Sequence, residues 1–187
     1  NNSSFWKFIS DNYDKFIELQ QKLKSNFYDS FSFFLYYPEI VDFNTRMFNF
    51  YNTINNKILM KCHHLTIDRN NIIESSYPIV SYEAFSRIII EFENERGADF
   101  GGPLRDWLTN LSNELFDPKN NFFLKTDKGC IYPNPSLDDE NMKYLKLAGK
   151  VIAISLINKI CINAHLASFF IKQFLKHDIT LNDVKSY

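Results

Sequence analysis

The chain has 187 residues, 45% hydrophobic and 17% aromatic, with a formal net charge of −1. That length falls in the single-domain range and the composition can build a core, which excludes an intrinsically disordered chain. The near-zero charge removes any electrostatic case for nucleic acid or an anionic membrane surface, and no apolar run approaches the roughly 18–20 residues that span a bilayer.

The N-terminus, NNSSFWKF, lacks an initiator Met and the basic-then-apolar order of a signal peptide, so it reads as a fragment boundary. Asn, Ile, Lys, Phe and Tyr are plentiful. The Asn residues are scattered among apolar periodic segments, which fits AT-rich codon usage better than a prion-like tract. Three cysteines, Cys62, Cys130 and Cys161, stand far apart. An odd, sparse set argues for a reducing compartment, cytoplasmic and/or nuclear, and against a disulfide scaffold.

In chain order, Phe5, Phe8, Ile9, Phe16, Ile17 and Leu23 mark an amphipathic helix that starts after Ser4. Pro38 interrupts an aromatic run. Asp42 is the expected N-cap of a second helix with the stripe Phe43, Met47, Phe50, Tyr51, Ile54 and Ile58. Leu65 and Ile67 alternate with polar residues as a short strand. Ser81, with Glu83 behind it, is expected to open a short helix. Ile88, Ile90 and Phe92 share one face of a further strand and Glu91 and Glu93 take the other. The clearest helix follows, with Pro103 in its first turn and the stripe Leu104, Trp107, Leu108, Leu111 and Leu115, stopping at DPKN. The YPNP segment from Tyr132 to Pro135 reads as loop. Asp138 and Asp139 precede a long, largely buried helix over 141–158. Another runs over 164–177 with Leu166, Phe169, Phe170 and Phe174 inward. Thr180 and Asp183 resemble a capping box that starts a last helix. The expected fold class is α+β, mainly helical, with a few short strands and no repeat.

The stretch IEFENERGADFGGPLRDW, Ile90 to Trp107, places glycines between a strand and a helix, where free helical amides can cradle a phosphate. The spacing of Gly97, Gly101 and Gly102 fits neither G-x-G-x-x-G nor a P-loop, and no Lys-Ser/Thr pair follows. Asp99 and the preceding ENE add negative charge, offset only by Arg96 and Arg105. A turn is the simpler reading, with Gly97 supplying a positive φ and Gly102 a tight approach of helix to strand. Cys62-His63-His64 resembles half a metal site, but adjacent strand residues point to opposite faces and no second Cys/His pair stands at ligand spacing. Cys161 sits in an apolar context where a buried, inert thiol is expected, with His165 four residues on. Cys130 has Lys128 nearby, a weak activating cue. Glu91, Glu93 and Glu95 read as a solvated strand face. No catalytic residue, metal site or cofactor emerges from these residues.

FENERGADFGGPLRDW resembles the segment of HECT-type ubiquitin-protein ligases that reads F-E-N-E-x-G-x-D-x-G-G-x-x-R-E-W. Phe92, Glu93, Asn94, Glu95, Gly97, Asp99, Gly101, Gly102, Arg105 and Trp107 stand where that pattern puts them. Upstream, Pro38, Phe43, Arg46 and Phe50 are similar to the family's H-P-x-x-x-x-F-x-x-R-x-x-x-F. PNPS, YLKLAGKVIA and FFIKQFLKHDITLND follow in the family's order, so the resemblance covers roughly residues 30 to 187. Arg96, Asp106, LKLAGK and AISLIN depart from the pattern, as in a divergent member.

The resemblance implies a truncated N-terminal lobe of a two-lobed catalytic domain: a helix over 1–29 that precedes or opens it, and a partial HECT domain over 30–187. The conjugating-enzyme-binding subdomain and the C-terminal lobe with the catalytic Cys are expected outside the sequence. The implied partners are ubiquitin, a ubiquitin-conjugating enzyme and a protein substrate. Some family members hold a second, non-covalent ubiquitin on this lobe, and Phe123, Lys125 and Ile131 are the candidate contact here. Two rivals stand beside this reading: a non-catalytic helical scaffold domain of HECT-like fold, and a phosphate-binding glycine-loop enzyme. A thermal-shift titration with nucleotides and inorganic phosphate is expected to show no stabilisation. A true site at 100 times its dissociation constant would add about 2.7 kcal/mol.

Overall fold

The computed structural model describes residues 2–15, 43–83, 85–95 and 102–185. The chain divides into two compact units, Asn1–Lys57 and Ile58–Tyr187. The boundary expected between residues 29 and 30 lies outside the described residues, as do Pro38, the Asp42 cap and the continuation of the first helix beyond residue 15.

In the first unit, α1 spans Asn2–Asp11, starting earlier than expected. Asn12 closes it, its backbone N–H and its side-chain Nδ2 both donating to the Phe8 carbonyl at 3.2 and 2.9 Å. Helix α2 spans Phe43–Asn55. Of its stripe, Ile54 is buried while Phe43, Met47 and Phe50 are exposed, and Ile58 lies past the helix end.

The second unit is built on a parallel pair. β1 (Cys62–Ile67) and β2 (Arg87–Phe92) run side by side with Cys62 opposite Arg87 and Ile67 opposite Phe92. Parallel neighbours need a long connection, and residues 68–86 supply it. Asp68 accepts from the Asn70 N–H at 2.9 Å and caps a 3₁₀ turn, Arg69–Asn71. The short helix α3, Ile72–Ser76, follows and runs into a second 3₁₀ turn, Tyr77–Ser81. Ser81 therefore ends a turn instead of opening a helix. Its hydroxyl donates backward to the Pro78 carbonyl at 2.7 Å, and Tyr82 is extended at ψ 151°.

Helix α4, Gly102–Leu115, follows β2 and buries Trp107, Leu108, Leu111, Ser112 and Leu115, as the stripe predicts. Asp117 accepts from the Lys119 N–H at 3.0 Å and forms the DPKN stop, completed by Asn121 at φ +60°. The antiparallel pair β3 (Phe123–Lys125) and β4 (Ile131–Pro133) comes next, so the YPNP loop begins inside a strand. Gly129 at φ +85° makes the hairpin turn.

Asp138 accepts from the Asn141 N–H at 2.7 Å ahead of α5, Met142–Ile157. Tyr144, Leu147, Ala148, Val151 and Ile154 of α5 join Leu65, Ile67, Ile90 and the α4 stripe in one core. The Tyr144 hydroxyl, which donates to Glu74, ties α5 to α3.

The next helix, α6, is Ser168–Phe174, shorter than the expected 164–177. Backbone bonds to β4 claim the segment before it: Ile131 N–H donates to the His165 carbonyl at 2.7 Å and Ala167 N–H to the Ile131 carbonyl at 2.8 Å. Leu166, Phe169 and Phe170 are half-buried, but Phe174, expected inward, is 77% exposed. Helix α7, Leu181–Lys185, starts as expected, with the Thr180 N–H and hydroxyl both donating to Asp183 Oδ2 at 2.8 Å.

Two outcomes follow from this packing. Leu111→Ala empties a fully buried site and is expected to lower the unfolding free energy by about 2–5 kcal/mol in a denaturant titration. Lys172 Nζ, 2.6 Å from Asp183, and the Thr180 donors hold the Asp183 carboxyl down at about 2. A depressed carboxyl stabilises above its unfolded value and loses that contribution as pH falls through the folded one. Amide protection of α7 is thus expected to be constant above about pH 4 and to fall between about pH 4 and 2, a step that Asp183→Asn removes.

Candidate functional site

The family-like motif brackets a turn. Residues 96–101, including Gly97, Asp99 and Gly101, lie outside the described residues. Before them, Glu93 N–H donates to the Ile67 carbonyl at 2.9 Å and prolongs the parallel ladder, and Glu95 N–H closes on the Phe92 carbonyl at 3.2 Å. Asn94 between them stands at φ +62°, a left-handed conformation that Asn tolerates better than most residues. Gly102 opens α4. A Cβ there would meet nothing within 4 Å, so the expected tight helix–strand approach is not what selects glycine at that position.

Arg69, which sequence reasoning passed over, joins the two sides of the motif. Its guanidinium carbon lies 3.7 Å from the centroid of the Phe92 ring. Nε and Nη2 donate to the Glu95 carboxylate, the Nη2–Oε2 distance being 3.0 Å, and Nη2 also lies 2.5 Å from Asp106 Oδ2. The guanidinium is therefore held even more firmly protonated than usual by Glu95 and then Asp106. The Arg69 hydrogen bond in turn pulls the Glu95 carboxyl below its ordinary value. Glu95 is a bonded partner, where the sequence read it as part of a solvated face. Glu91 is exposed, with His64 Nδ1 3.5 Å away.

One residue beyond Asp106, the motif turns inward. Trp107 is fully buried and its indole N–H donates to the equally buried Ser76 hydroxyl at 2.8 Å, satisfying two polar groups that would be costly to bury alone. Arg105 is exposed. Phe92, Glu95 and Trp107 thus converge with Asp106 on Arg69 and Ser76. This is the geometry of a brace between the first 3₁₀ turn, α3, β2 and α4.

Among the described residues, nothing around the thiols builds a nucleophile. Cys62 and Cys161 are exposed and Cys130 is half-buried. Cys161 departs from the buried site expected for it, because α5 ends at Ile157 and Lys159 turns the chain at φ +56° into an irregular segment. The helical spacing that would have brought His165 near it does not exist. Next to Cys62, His63 stacks on Tyr82 with ring centroids 4.1 Å apart, and Lys150 Nζ donates to the Tyr82 carbonyl at 2.6 Å; burial pushes the Lys150 amine below its ordinary value. Among the described residues no group of three His, Cys, Asp or Glu is placed to hold a metal, and no helix is long and apolar enough to cross a membrane.

Phe123 and Ile131 are 3% and 6% exposed and belong to the core. Of the three residues expected to face ubiquitin, only Lys125 is exposed. The inward residues of β3 and β4 fill the space under the hairpin, so the apolar surface lies one residue further on. A cleft of about 400 Å³ opens there, lined by Tyr132, Pro133, Pro135, Met142, Phe169 and Phe170 among others. Tyr132 and Phe169 meet edge to face, their centroids 5.4 Å apart.

Residues 109–187 match the family model described as HECT-domain (ubiquitin-transferase). The chain is 29% identical over 129 residues to E3 ubiquitin-protein ligase Smurf1 of Drosophila melanogaster, covering 65% of the chain and 12% of that relative. It is 30% identical over 131 residues to E3 ubiquitin-protein ligase pub1 of Schizosaccharomyces pombe, 66% of the chain and 17% of the relative. A probable E3 ubiquitin-protein ligase hulA of Aspergillus terreus is 26% identical over 157 residues, 77% of the chain and 19% of the relative. The chain thus spans less than a fifth of the length of these relatives.

Replacing Arg69 tests the brace. Arg69→Met leaves the Glu95 and Asp106 carboxylates facing each other without a cation, and the denaturation midpoint is expected to drop, with added salt recovering part of the loss by screening the repulsion. Arg69→Lys keeps the charge but not the planar fork, and is expected to fall between the two.

Proposed function

We propose that the chain is the scaffold part of a HECT-type ubiquitin-protein ligase, with residues 109–187 a segment of its HECT domain. The observation that carries this is the family match, continuous with a motif whose two halves are tied through Arg69. In the reaction, a ligase cysteine thiolate attacks the thioester carbonyl of ubiquitin on the conjugating enzyme, whose own thiol leaves. A substrate lysine amine then attacks the new thioester, forming an amide and releasing the ligase thiolate. The role of the present residues is positioning, since transfer requires thioester and nucleophile in near-attack geometry. Among the described residues no base lies against Cys62, Cys130 or Cys161 and none of the three is assigned as the nucleophile, so residues 1–187 alone are inactive on this reading.

The layout proposed is a helix over 1–29 ahead of a partial domain over 30–187. The partners are ubiquitin, a conjugating enzyme and a protein substrate, in the reducing cytoplasm or nucleus. A non-covalent ubiquitin contact is assigned to exposed Lys125 and the neighbouring cleft at Tyr132 and Phe169. Support for this is the apolar lining of that cleft, which suits a protein partner better than a small polar ligand. The rival reading is a scaffold of HECT-like fold that never carries ubiquitin.

Reconstitution with activating enzyme, conjugating enzyme and ubiquitin separates the two. The full-length protein is expected to form a reductant-sensitive ubiquitin adduct that survives Cys62→Ser, Cys130→Ser and Cys161→Ser together; residues 1–187 are expected to form none. No adduct on the full-length protein favours the scaffold reading, and an adduct on residues 1–187 overturns the assignment of roles. In a titration of isotope-labelled protein with ubiquitin, shift changes are expected at Lys125, Tyr132 and Phe169 and should weaken in Tyr132→Ala. Unchanged shifts at millimolar ubiquitin would sink the contact.

A further inference from the structure

We draw no further inference here: the strongest candidate, the exposed apolar side chains of Phe174 at the end of α6, Leu175 just past it and Leu181 and Val184 on α7, is a surface without a partner among the described residues, and nothing in the structure shows what covers it.

Discussion

The parallel pairing of β1 with β2 is the constraint on which the second unit depends. It sets Ile67 opposite Phe92, so the residues just past each strand end become neighbours across the sheet. Arg69 then lies over the Phe92 ring and reaches Glu95, while α4 brings Asp106 to the same guanidinium. Slipping β1 by one residue against β2 would turn Leu65 and Ile67 out of the core and shift Arg69 relative to Phe92 and Glu95. Burial of the apolar faces and placement of the charges are therefore satisfied by a single arrangement.

The relative weight of the two halves of the brace follows from exposure. Arg69, Glu95 and Asp106 side chains remain 40–47% exposed, so water competes for each of them and the ion pairs chiefly select geometry. Trp107, Leu108, Leu111 and Leu115 are fully buried, and a buried side chain of this size contributes about 1.5–3 kcal/mol. Stability comes mainly from the α4 stripe meeting α5 and the strands. The charged cluster fixes how α4 enters.

The same packing explains why no chemistry gathers at the residues that looked reactive. His63 is spent on stacking against Tyr82, and Cys161 falls in the irregular segment after α5. Phe123 and Ile131 face the core because strands alternate. The surface that the hairpin shows is made by Tyr132 and the prolines around it, with Phe169 of α6 closing it. Backbone bonds from Ile131 to His165 and Ala167 hold that edge together, and they are also why α6 is shorter than its apolar periodicity suggests.

By itself the sequence determined the local elements with strong periodicity: the α4 stripe from Leu104 to Leu115, the alternation of both strands, the Asp138 and Thr180–Asp183 helix starts. These depend on the side chains of near neighbours, which the sequence states directly. The ordered motifs also carried the family resemblance that the match over 109–187 bears out. Tertiary structure alone decided the partnerships. No local pattern says that β1 pairs with β2 in parallel, that Arg69 serves Glu95 and Asp106, that Ser76 receives the Trp107 N–H, or that the chain before α6 lies along β4. Each of those contacts joins residues far apart in the chain, and its partner becomes identifiable only when the register has placed the two side by side.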